Sequence, residues 1–382
     1  MRRKKPIFNA NQADLMYIYQ RKQWPHFRWD ELKLSSLLVH VRHQQGRLLG
    51  KMGSLGFALQ AEANLQTLTL DVIKSSEIEG EILPADQVRS SLAKRLGIDI
   101  GGLKTTERHV DGMVDMMLDA TQRFSGELNE DRLFGWHASL FPSGRSGMHK
   151  IVVGNWRDNP PQDPMQVVSG PIGRETVHFQ APDAALIPDE MHAFFKWFNT
   201  KLPMDALIKA AIAHLWFVTI HPFDDGNGRI ARAITDMQLA RADAQAERFY
   251  SMSAQIRKER NTYYHVQEET QKGDLDITVW LEWFLNCLER AIMATDETLA
   301  RVLQKARFWD AHEQFVLNDR QRMMLNKLLD GFDGKLTSSK WAKICKCSSD
   351  TAVRDINDLI EKNILEKETA GGRSTSYHLI KS

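Results

Sequence analysis

HPFDDGNGRIAR, the stretch from His221 to Arg232, joins two segments that have the apolar periodicity of helices. The segment before it, DALIKAAIAHLWFVTI, is apolar on every face and predicts a buried central helix. Pro222 ends that helix, because proline lacks the N–H that a continuing helix needs. Arg229 and Arg232 fall where the next helix begins, and the helix dipole disfavours a cation there by about 0.3–1 kcal/mol. The sequence therefore predicts a negative partner for both arginines.

The loop itself suits a polyphosphate as that partner. Gly226, Asn227 and Gly228 can adopt conformations that direct successive backbone N–H groups into one concavity. Arg229 and Arg232 are three residues apart, so they share a helical face and reach the same concavity. Phosphate oxygens accept hydrogen bonds from both kinds of donor.

Other side chains of the loop predict chemistry beside this anion site. Asp225 fits as the carboxylate that recruits Mg²⁺ between phosphate oxygens, since that ion favours one or two carboxylates with phosphate and water. His221 is suited to take a proton from an incoming hydroxyl, because an unperturbed imidazole has a pKa of about 6.5. Phe223 is expected to anchor the loop in the core, with Asp224 beside it. Alternatively, His214, His221 and Asp225 form a transition-metal site.

The composition is that of an ordinary globular chain of 382 residues, 42% hydrophobic and 26% charged, with a net charge of +1. This length predicts two or three domains, and the small net charge gives no global field that favours nucleic acid or a membrane. Three cysteines are too few for a disulfide framework and fit a reducing cytoplasm. The basic start MRRKKP lacks the apolar stretch of a signal peptide and is expected to be a frayed tail. The longest apolar run, 210–220, is too short to span a bilayer.

Apolar residues recur at three- and four-residue spacing along most of the chain, which predicts a mainly α fold. A Gly- and Pro-rich interval interrupts the helices, and within it Met165–Val168 and Thr176–Gln180 predict a β-hairpin around a Gly-Pro-Ile-Gly turn. One long helix, starting ITVWLEWF, is predicted to close the central block. The last 70 or so residues predict three helices and a hairpin with a Gly371-Gly372 turn, which is the pattern of a winged helix-turn-helix.

The stretch His221–Arg232 resembles the signature of the Fic family, His-Pro-Phe-x-Asp/Glu-Gly-Asn-Gly-Arg-x-x-Arg, at every specified position. The resemblance extends over about residues 105–300 and implies a Fic-fold helical bundle whose hairpin is a substrate-binding flap. It also implies transfer of AMP from ATP, with Mg²⁺, to a Ser, Thr or Tyr hydroxyl of a target protein. By this resemblance His221 is the base, Asp225 binds the metal and Arg232 holds the γ-phosphate. The full ATP- and phosphate-binding set is Phe223, Asp224, Gly226, Asn227, Gly228, Arg229, Arg232, Asn261 and Tyr264.

Asn261 and Tyr264 are candidates for the adenine side of that site, although amphipathic packing is an equal interpretation for Tyr264 and its neighbour Tyr263. A relative that uses another nucleotide or a phosphocholine donor is a further alternative, because the loop reads phosphates better than a base.

Upstream, SSEIEG at Ser75–Gly80 resembles the inhibitory motif Ser/Thr-x-x-x-Glu-Gly/Asn that many Fic proteins carry on a helix before the catalytic domain. The resemblance implies that Ser75, Glu79 and Gly80 form an inhibitory element. Glu79 would pair with Arg232 and displace the γ-phosphate from its productive position. The resting enzyme would then be inactive, or would favour removal of AMP from a modified target.

The resulting domain prediction has three parts. Residues 1–95 form an N-terminal helical region with the inhibitory helix at about 62–80, residues 96–305 the Fic catalytic domain, and residues 312–382 the winged helix-turn-helix domain. The predicted recognition helix, 349–363, is rich in acidic residues and would meet DNA phosphates poorly, so protein contact is at least as well supported as DNA binding. An alternative function is a DNA-binding regulator whose Fic block senses nucleotide. The oligomeric state stays open, with a homodimer as the commonest symmetric assembly.

Overall fold

The computed structural model describes residues 16–171, 174–332, 334–368 and 375–380. The predicted tail MRRKKP and the predicted Gly371-Gly372 turn lie outside these residues, as do Ile172 and Gly173 of the first hairpin's turn. Over the part that is described, no helix has the combined length and apolarity that crossing a membrane requires.

The mainly α fold class is confirmed. The helices of the described chain are α1 (Glu31–Gly53), α2 (Phe57–Ile78), α3 (Ala85–Leu96), α4 (Arg108–Gln122), α5 (Glu130–Leu140), α6 (Ile187–Asn199), α7 (Ala206–Ile220), α8 (Asn227–Asp243), α9 (Met252–Lys258), α10 (Arg260–Lys272), α11 (Thr278–Met293), α12 (Thr295–Ala311), α13 (Asp319–Leu329), α14 (Ser338–Cys345) and α15 (Ser349–Glu361). The strands are β1 (Arg145–Ser146), β2 (His149–Lys150), β3 (Gln166–Ser169), β4 (Thr176–Gln180), β5 (Leu365–Lys367) and β6 (Tyr377–Leu379), paired as three antiparallel hairpins.

Helix α7 is the buried centre of the fold. Every residue from Leu207 to Ile220 is buried, as its uniformly apolar sequence predicts. It packs against α8 on one side, and α11 contributes Trp280, whose indole N–H donates to the Ala211 carbonyl at 2.8 Å. Because α7 is buried along its length and packed against α8 and α11, the residue that follows it has a defined position.

One continuous apolar core runs from Ile18 to Val302. The N-terminal helices α1 to α3 therefore share a core with the central block, and the sequence-based boundary at residues 95 and 96 lies inside it. A second core, which includes Phe308 and Trp341, belongs to the C-terminal unit. The predicted long closing helix is in fact two helices, α11 and α12, that meet at Ala294.

The hairpin β3–β4 lies where the sequence predicts it, with β3 starting one residue later. Gln166 pairs with Gln180, and a bulge lies between Val167 and Val168. Phe179 is buried against Tyr17 in a small apolar cluster separate from the main core. The hairpin is thus a projecting element with its own anchoring contacts.

The C-terminal unit contains α13 to α15 and the antiparallel pair β5–β6, so the winged-helix assignment stays a prediction consistent with these elements. Within α15, Asp355 is buried and accepts hydrogen bonds from Arg320 and Asn318, and Asp358 accepts one from Gln321. Two of the acidic residues that sequence analysis weighed against DNA binding therefore hold the unit together.

A pair of helical glycines tests the packing that places α4 against α5. A Cβ at Gly112 of α4 would lie 1.8 Å from the Ser139 carbonyl oxygen, whereas one at Gly135 of α5 would meet nothing within 4 Å. Gly112→Ala should lower the free energy of unfolding by about 1–3 kcal/mol or more. Gly135→Ala should raise it by up to about 1 kcal/mol, because alanine favours helix. Urea denaturation measures both, and equal effects would contradict the close approach of the two helices.

Candidate active site

His221 lies directly at the C-terminus of α7 in a left-handed conformation, with φ 52° and ψ 58°. Its backbone N–H still donates to the Phe217 carbonyl at 3.0 Å. Its ring Nδ1 lies 3.3 Å from the Val218 carbonyl oxygen, so Nδ1 carries the proton and Nε2 keeps its lone pair. Burial, followed by the charge of Arg157, lowers the pKa of His221 to about 4. The imidazole is therefore neutral at pH 7 and able to accept a proton at Nε2.

The loop after His221 is anchored by Phe223 and Asn227. Phe223 is fully buried, and its ring stacks on His137 with centroids 4.2 Å apart. The Asn227 side chain accepts from the Phe223 N–H at 3.0 Å and donates to the Phe223 carbonyl at 2.8 Å. The Phe223 ring is packed in the core, and the Asn227 amide is hydrogen-bonded to the Phe223 backbone. The predicted phosphate contacts of these two residues therefore stay predictions, and they concern their backbone groups.

A strand-like segment beside the loop holds it from the other side. The Val152 N–H donates to the Asp224 carboxylate at 2.8 Å. His137 accepts from the Gly154 N–H at Nδ1, so its Nε2–H donates to the Asp225 carbonyl at 3.2 Å. Burial lowers the pKa of His137 to about 4, which keeps this ring neutral. The predicted role of the Asp224 side chain in ATP binding stays a prediction.

The N-terminus of α8 presents backbone donors, of which the Gly226 N–H already donates to the Asp225 carboxylate. Gly226 precedes the helix with φ 83°, and a Cβ there would lie 2.9 Å from the Phe141 ring. Glycine is therefore required at this turn. The first N–H groups of a helix have no intrahelical acceptor, and Gly226 has no side chain to cap them. The expected anion nest of Gly226, Asn227 and Gly228 stays a prediction.

Arg232 is bound to the predicted inhibitory element. Its side chain is 1% exposed, Nε donates to the Ser75 hydroxyl at 2.8 Å, and Nη2 donates to the Ser75 carbonyl at 2.9 Å and to Glu79 Oε1 at 2.8 Å. A Cβ on Gly228 would lie 2.2 Å from the same Glu79 oxygen, so the carboxylate covers the first turn of α8. Nη1 of Arg232 is buried without a hydrogen-bond partner among the described residues.

Arg229 has an acidic partner that the sequence analysis missed. Its Nη1 donates to Glu81 Oε2 at 2.8 Å, its Nη2 lies 3.8 Å from Asp225 Oδ1, and its guanidinium stacks over the Phe141 ring at 4.9 Å. Glu81 directly follows the SSEIEG motif. The presence of a second acidic residue next to Gly80 was therefore the sequence signal that could have indicated a partner for Arg229. The turn after α2 therefore brings one carboxylate to each arginine of the loop.

A cavity of about 820 Å³ opens in front of these groups. Glu79, Glu81, Asp225 and Arg229 line it, whereas Arg232 lies behind Glu79 and is not among the lining residues. The Asp225 carboxylate accepts from the Ser146 hydroxyl and, at 2.5 Å, from the Gly226 N–H. Of the carboxylates on the cavity wall, that of Asp225 belongs to the loop beside Arg229, and it could hold Mg²⁺, which takes its other ligands from phosphate and water.

The alternative of a transition-metal site is wrong. Both ring nitrogens of His214 are used in the core: Nδ1 lies 2.9 Å from the Thr235 hydroxyl and Nε2 lies 2.9 Å from the Tyr263 hydroxyl. In the part of the chain that the structure describes, no three His, Cys, Asp or Glu side chains are grouped to hold a metal ion. Burial lowers the pKa of His214 to about 3, so it is a neutral core histidine.

The two adenine-side candidates occupy different environments on α10. Asn261 is exposed, and Tyr264 is partly buried beneath the Arg260 guanidinium. Burial raises the pKa of Tyr264, and the negative charge of the Glu79 carboxylate raises it further. Tyr263 is buried against Trp283, so the packing interpretation holds for it.

The buried neutral histidines predict how stability depends on pH. His137 and His214 stay neutral in the folded protein down to about pH 4 and 3, whereas in the unfolded chain a histidine binds a proton below about pH 6.5. The free energy of unfolding should therefore fall as pH drops below about 6.5, by about 1.4 kcal/mol per histidine per pH unit. Urea denaturation at pH 7, 6 and 5 measures this. His214→Gln should flatten the decline, and an unchanged slope would contradict a neutral His214.

Comparison with known proteins finds a family model that matches the region of this site. Residues 127–239 match the Fic/DOC family model, and residues 17–98 match a domain of unknown function, DUF4172. The chain is 26% identical over 232 residues to protein adenylyltransferase Fic of Drosophila yakuba, an alignment that covers 58% of this chain and 40% of that protein. It is 31% identical over 183 residues to protein adenylyltransferase fic-1 of Caenorhabditis elegans, covering 46% and 32%. The chain thus spans less than half the length of these curated relatives.

Solved structures share the fold. A Fic family protein from Desulfovibrio desulfuricans G20 superposes with a TM-score of 0.51 at 20% identity, covering 91% of this chain and 96% of that one. A Fic domain containing signaling protein from Bacteroides thetaiotaomicron gives 0.50 at 17% identity, covering 68% and 96%. These likenesses show the fold, and the Fic/DOC family model matches residues 127–239, the region that carries the complete loop signature His221–Arg232.

Proposed function

We propose that this chain is a protein adenylyltransferase that transfers AMP from ATP to a hydroxyl side chain of a target protein. The observation that carries the proposal is the state of Arg232. This guanidinium is almost fully buried, yet its Nη1 has no partner among the described residues. A buried donor without a partner is unfavourable by about 1–3 kcal/mol, so an anion that reaches it is strongly favoured. Three negative phosphates offer that anion and also suit the amides at the start of α8.

The proposed reaction uses His221 as general base. Its Nε2 takes the proton of the target hydroxyl, the hydroxyl oxygen bonds to the α-phosphorus, and pyrophosphate leaves. Arg229 and the amides of Gly226 to Arg229 bind the α- and β-phosphates, while Arg232 holds the γ-phosphate. Mg²⁺ at Asp225 would supply neutralising charge between phosphate oxygens. In such a displacement the protein contributes mainly alignment and charge stabilisation.

We further propose that Glu79 inhibits this reaction. Its carboxylate lines the cavity and binds Arg232, and it covers Gly228 where a phosphate would meet the first turn of α8. A carboxylate and a γ-phosphate compete for the same donor, so ATP that enters the cavity is held out of line. Ser75 fixes the other edge of the Arg232 guanidinium and limits its movement toward the cavity. The same arrangement is compatible with the reverse reaction, removal of AMP.

The hairpin β3–β4 is the proposed docking element for the target. It is a two-stranded sheet whose outer edges pair with no other strand in the part of the chain that the structure describes, and an extended target segment can add to such an edge through backbone hydrogen bonds. Recognition through backbone hydrogen bonds depends little on side chains, so the residues of the hairpin do not identify the target protein. The C-terminal unit is a proposed second contact for protein or DNA, and the homodimer stays a proposal as well.

The first test measures AMP incorporation by intact mass and labelled ATP with Mg²⁺. Glu79→Gly should raise incorporation, including self-modification, by about 10- to 100-fold. The reason is that one charge-assisted hydrogen bond of about 1.5–3 kcal/mol no longer competes with ATP. His221→Ala in the same background should abolish transfer while ATP still raises the melting temperature.

Glu77→Gly is the matched control. Glu77 lies on the same helix but pairs with Lys74 at 2.8 Å and has no contact with Arg232. This variant should leave incorporation close to that of the wild type. Nucleotide binding without covalent transfer in Glu79→Gly would instead support the nucleotide-sensing regulator.

Removal of the Glu81–Arg229 pair should also raise the rate of AMP transfer, by less than removal of Glu79. The Glu81–Arg229 pair is partly exposed at the cavity, so solvent screening limits its strength to about 1 kcal/mol or less. Glu81→Gln should therefore raise AMP incorporation by about two- to fivefold and should add to the effect of Glu79→Gly. Initial rates of the single and double variants measure this. A decrease in rate for Glu81→Gln would show that Glu81 serves catalysis and does not restrain Arg229.

A further inference from the structure

Arg157 is a buried arginine on the segment between β2 and β3 that sequence analysis did not single out. Its residue exposure is 2%, and it makes hydrogen bonds in three directions. Nε donates to the His221 carbonyl at 2.8 Å, and its backbone N–H donates to the Pro222 carbonyl at 3.0 Å. One residue thus binds two successive carbonyls of the loop, at the point where α7 ends.

The remaining donors of Arg157 reach the base of the flap. Nη2 donates to the Pro182 carbonyl at 2.5 Å, and Nη1 donates to the Asn159 side chain at 2.6 Å. Pro182 lies two residues after β4 ends at Gln180. The planar fork of one guanidinium therefore joins the end of the flap to the residue that carries the imidazole.

The backbone of His221 needs such support. Its φ of 52° is a left-handed conformation that side chains with a Cβ rarely adopt. A conformation of this kind persists when surrounding contacts fix it. The only side-chain donor that the structure gives to the His221 carbonyl is Arg157 Nε, and the ring is in turn fixed through Nδ1 and the Val218 carbonyl.

We propose that Arg157 is the positioning residue of the active site, and that it sets the direction of the His221 imidazole relative to a target held on the flap. This inference rests on the proposed adenylyl transfer. Arg157 acts through the backbone of His221 and Pro222 and does not line the 820 Å³ cavity. It stays a cation at neutral pH, since burial lowers its pKa only to about 10. Its contribution is therefore to alignment of base and hydroxyl, and not to nucleotide binding.

Arg157→Lys tests this role in the Glu79→Gly background. Lysine keeps the charge but cannot bind His221, Pro182 and Asn159 at once, because its ammonium lacks a planar fork. The kcat for AMP transfer should fall by about 10- to 100-fold, as expected for a base displaced by a fraction of an ångström to an ångström. The KM for ATP and the rise in melting temperature with ATP should stay within about twofold.

Arg241→Lys is the matched control. Arg241 of α8 also binds backbone carbonyls, those of Phe124, Gly126 and Phe198, but lies nine residues beyond Arg232, about 14 Å along the helix. Arg241→Lys should lower stability, but the kcat of the protein that remains folded should not change. An equal fall in kcat in both variants would assign Arg157 a merely structural role and overturn the proposal.

A second readout needs no activity. The ¹⁵N NMR signal of the His221 Nδ1–H reports its hydrogen bond to the Val218 carbonyl, and Arg157→Lys should shift or broaden it while Arg241→Lys leaves it unchanged. If the Glu79→Gly parent transfers no AMP, the proposed function fails, and this signal alone decides whether Arg157 orients the ring. An unchanged signal together with an unchanged kcat would overturn the inference.

Discussion

The buried guanidinium of Arg232 is the interaction on which the arrangement of this site depends. A cation taken from water must be paired and hydrogen-bonded, because an isolated charge in the interior is strongly unfavourable. Here Ser75 and Glu79, from the end of α2, provide the acceptors. The N-terminal helices are thereby held against the first turn of α8, and they share one core with the central block. The bonds from Arg232 to Ser75 and Glu79 therefore do two things: they satisfy a buried cation, and they provide the proposed restraint of the site.

The pairing also gives a physical account of the proposed regulation, in which Glu79 and ATP compete for Arg232. Glu79 satisfies Nη2 of Arg232 but leaves Nη1 without a partner among the described residues. The hydrogen-bonding capacity of Arg232 is therefore incompletely used in this pair, and a polyphosphate that displaced the carboxylate would meet more donors than Glu79 does. Glu81 adds a weaker, more exposed pair at Arg229. The proposed restraint is thus divided between one buried and one partly exposed ion pair, and the exposed pair is the more sensitive to salt.

The catalytic side of the loop depends on a second set of contacts, made by the segment from Val152 to Arg157. This segment contacts the loop through Val152, through Gly154 and His137, and through Arg157. In each of these hydrogen bonds at least one of the two groups belongs to the backbone. They fix the loop without using the side chains that face the cavity, so the chemistry of Asp225 and Arg229 stays available to a ligand.

Local sequence determined much of this protein. The apolar run of α7, the break at Pro222 and the glycines at 226 and 228 predicted a helix, a turn and an anion-binding helix start, because each follows from the backbone preferences of a few neighbouring residues. The resemblance of SSEIEG to the inhibitory motif of Fic proteins, and not a backbone preference, indicated Glu79 as the partner of Arg232. The tertiary structure alone decided which groups from distant segments meet. It placed His214 in the core, and it brought Glu81 to Arg229 and Arg157 to His221. Such contacts join residues far apart in the chain, and no local preference specifies them, since they arise only when helices and loops pack around a common core.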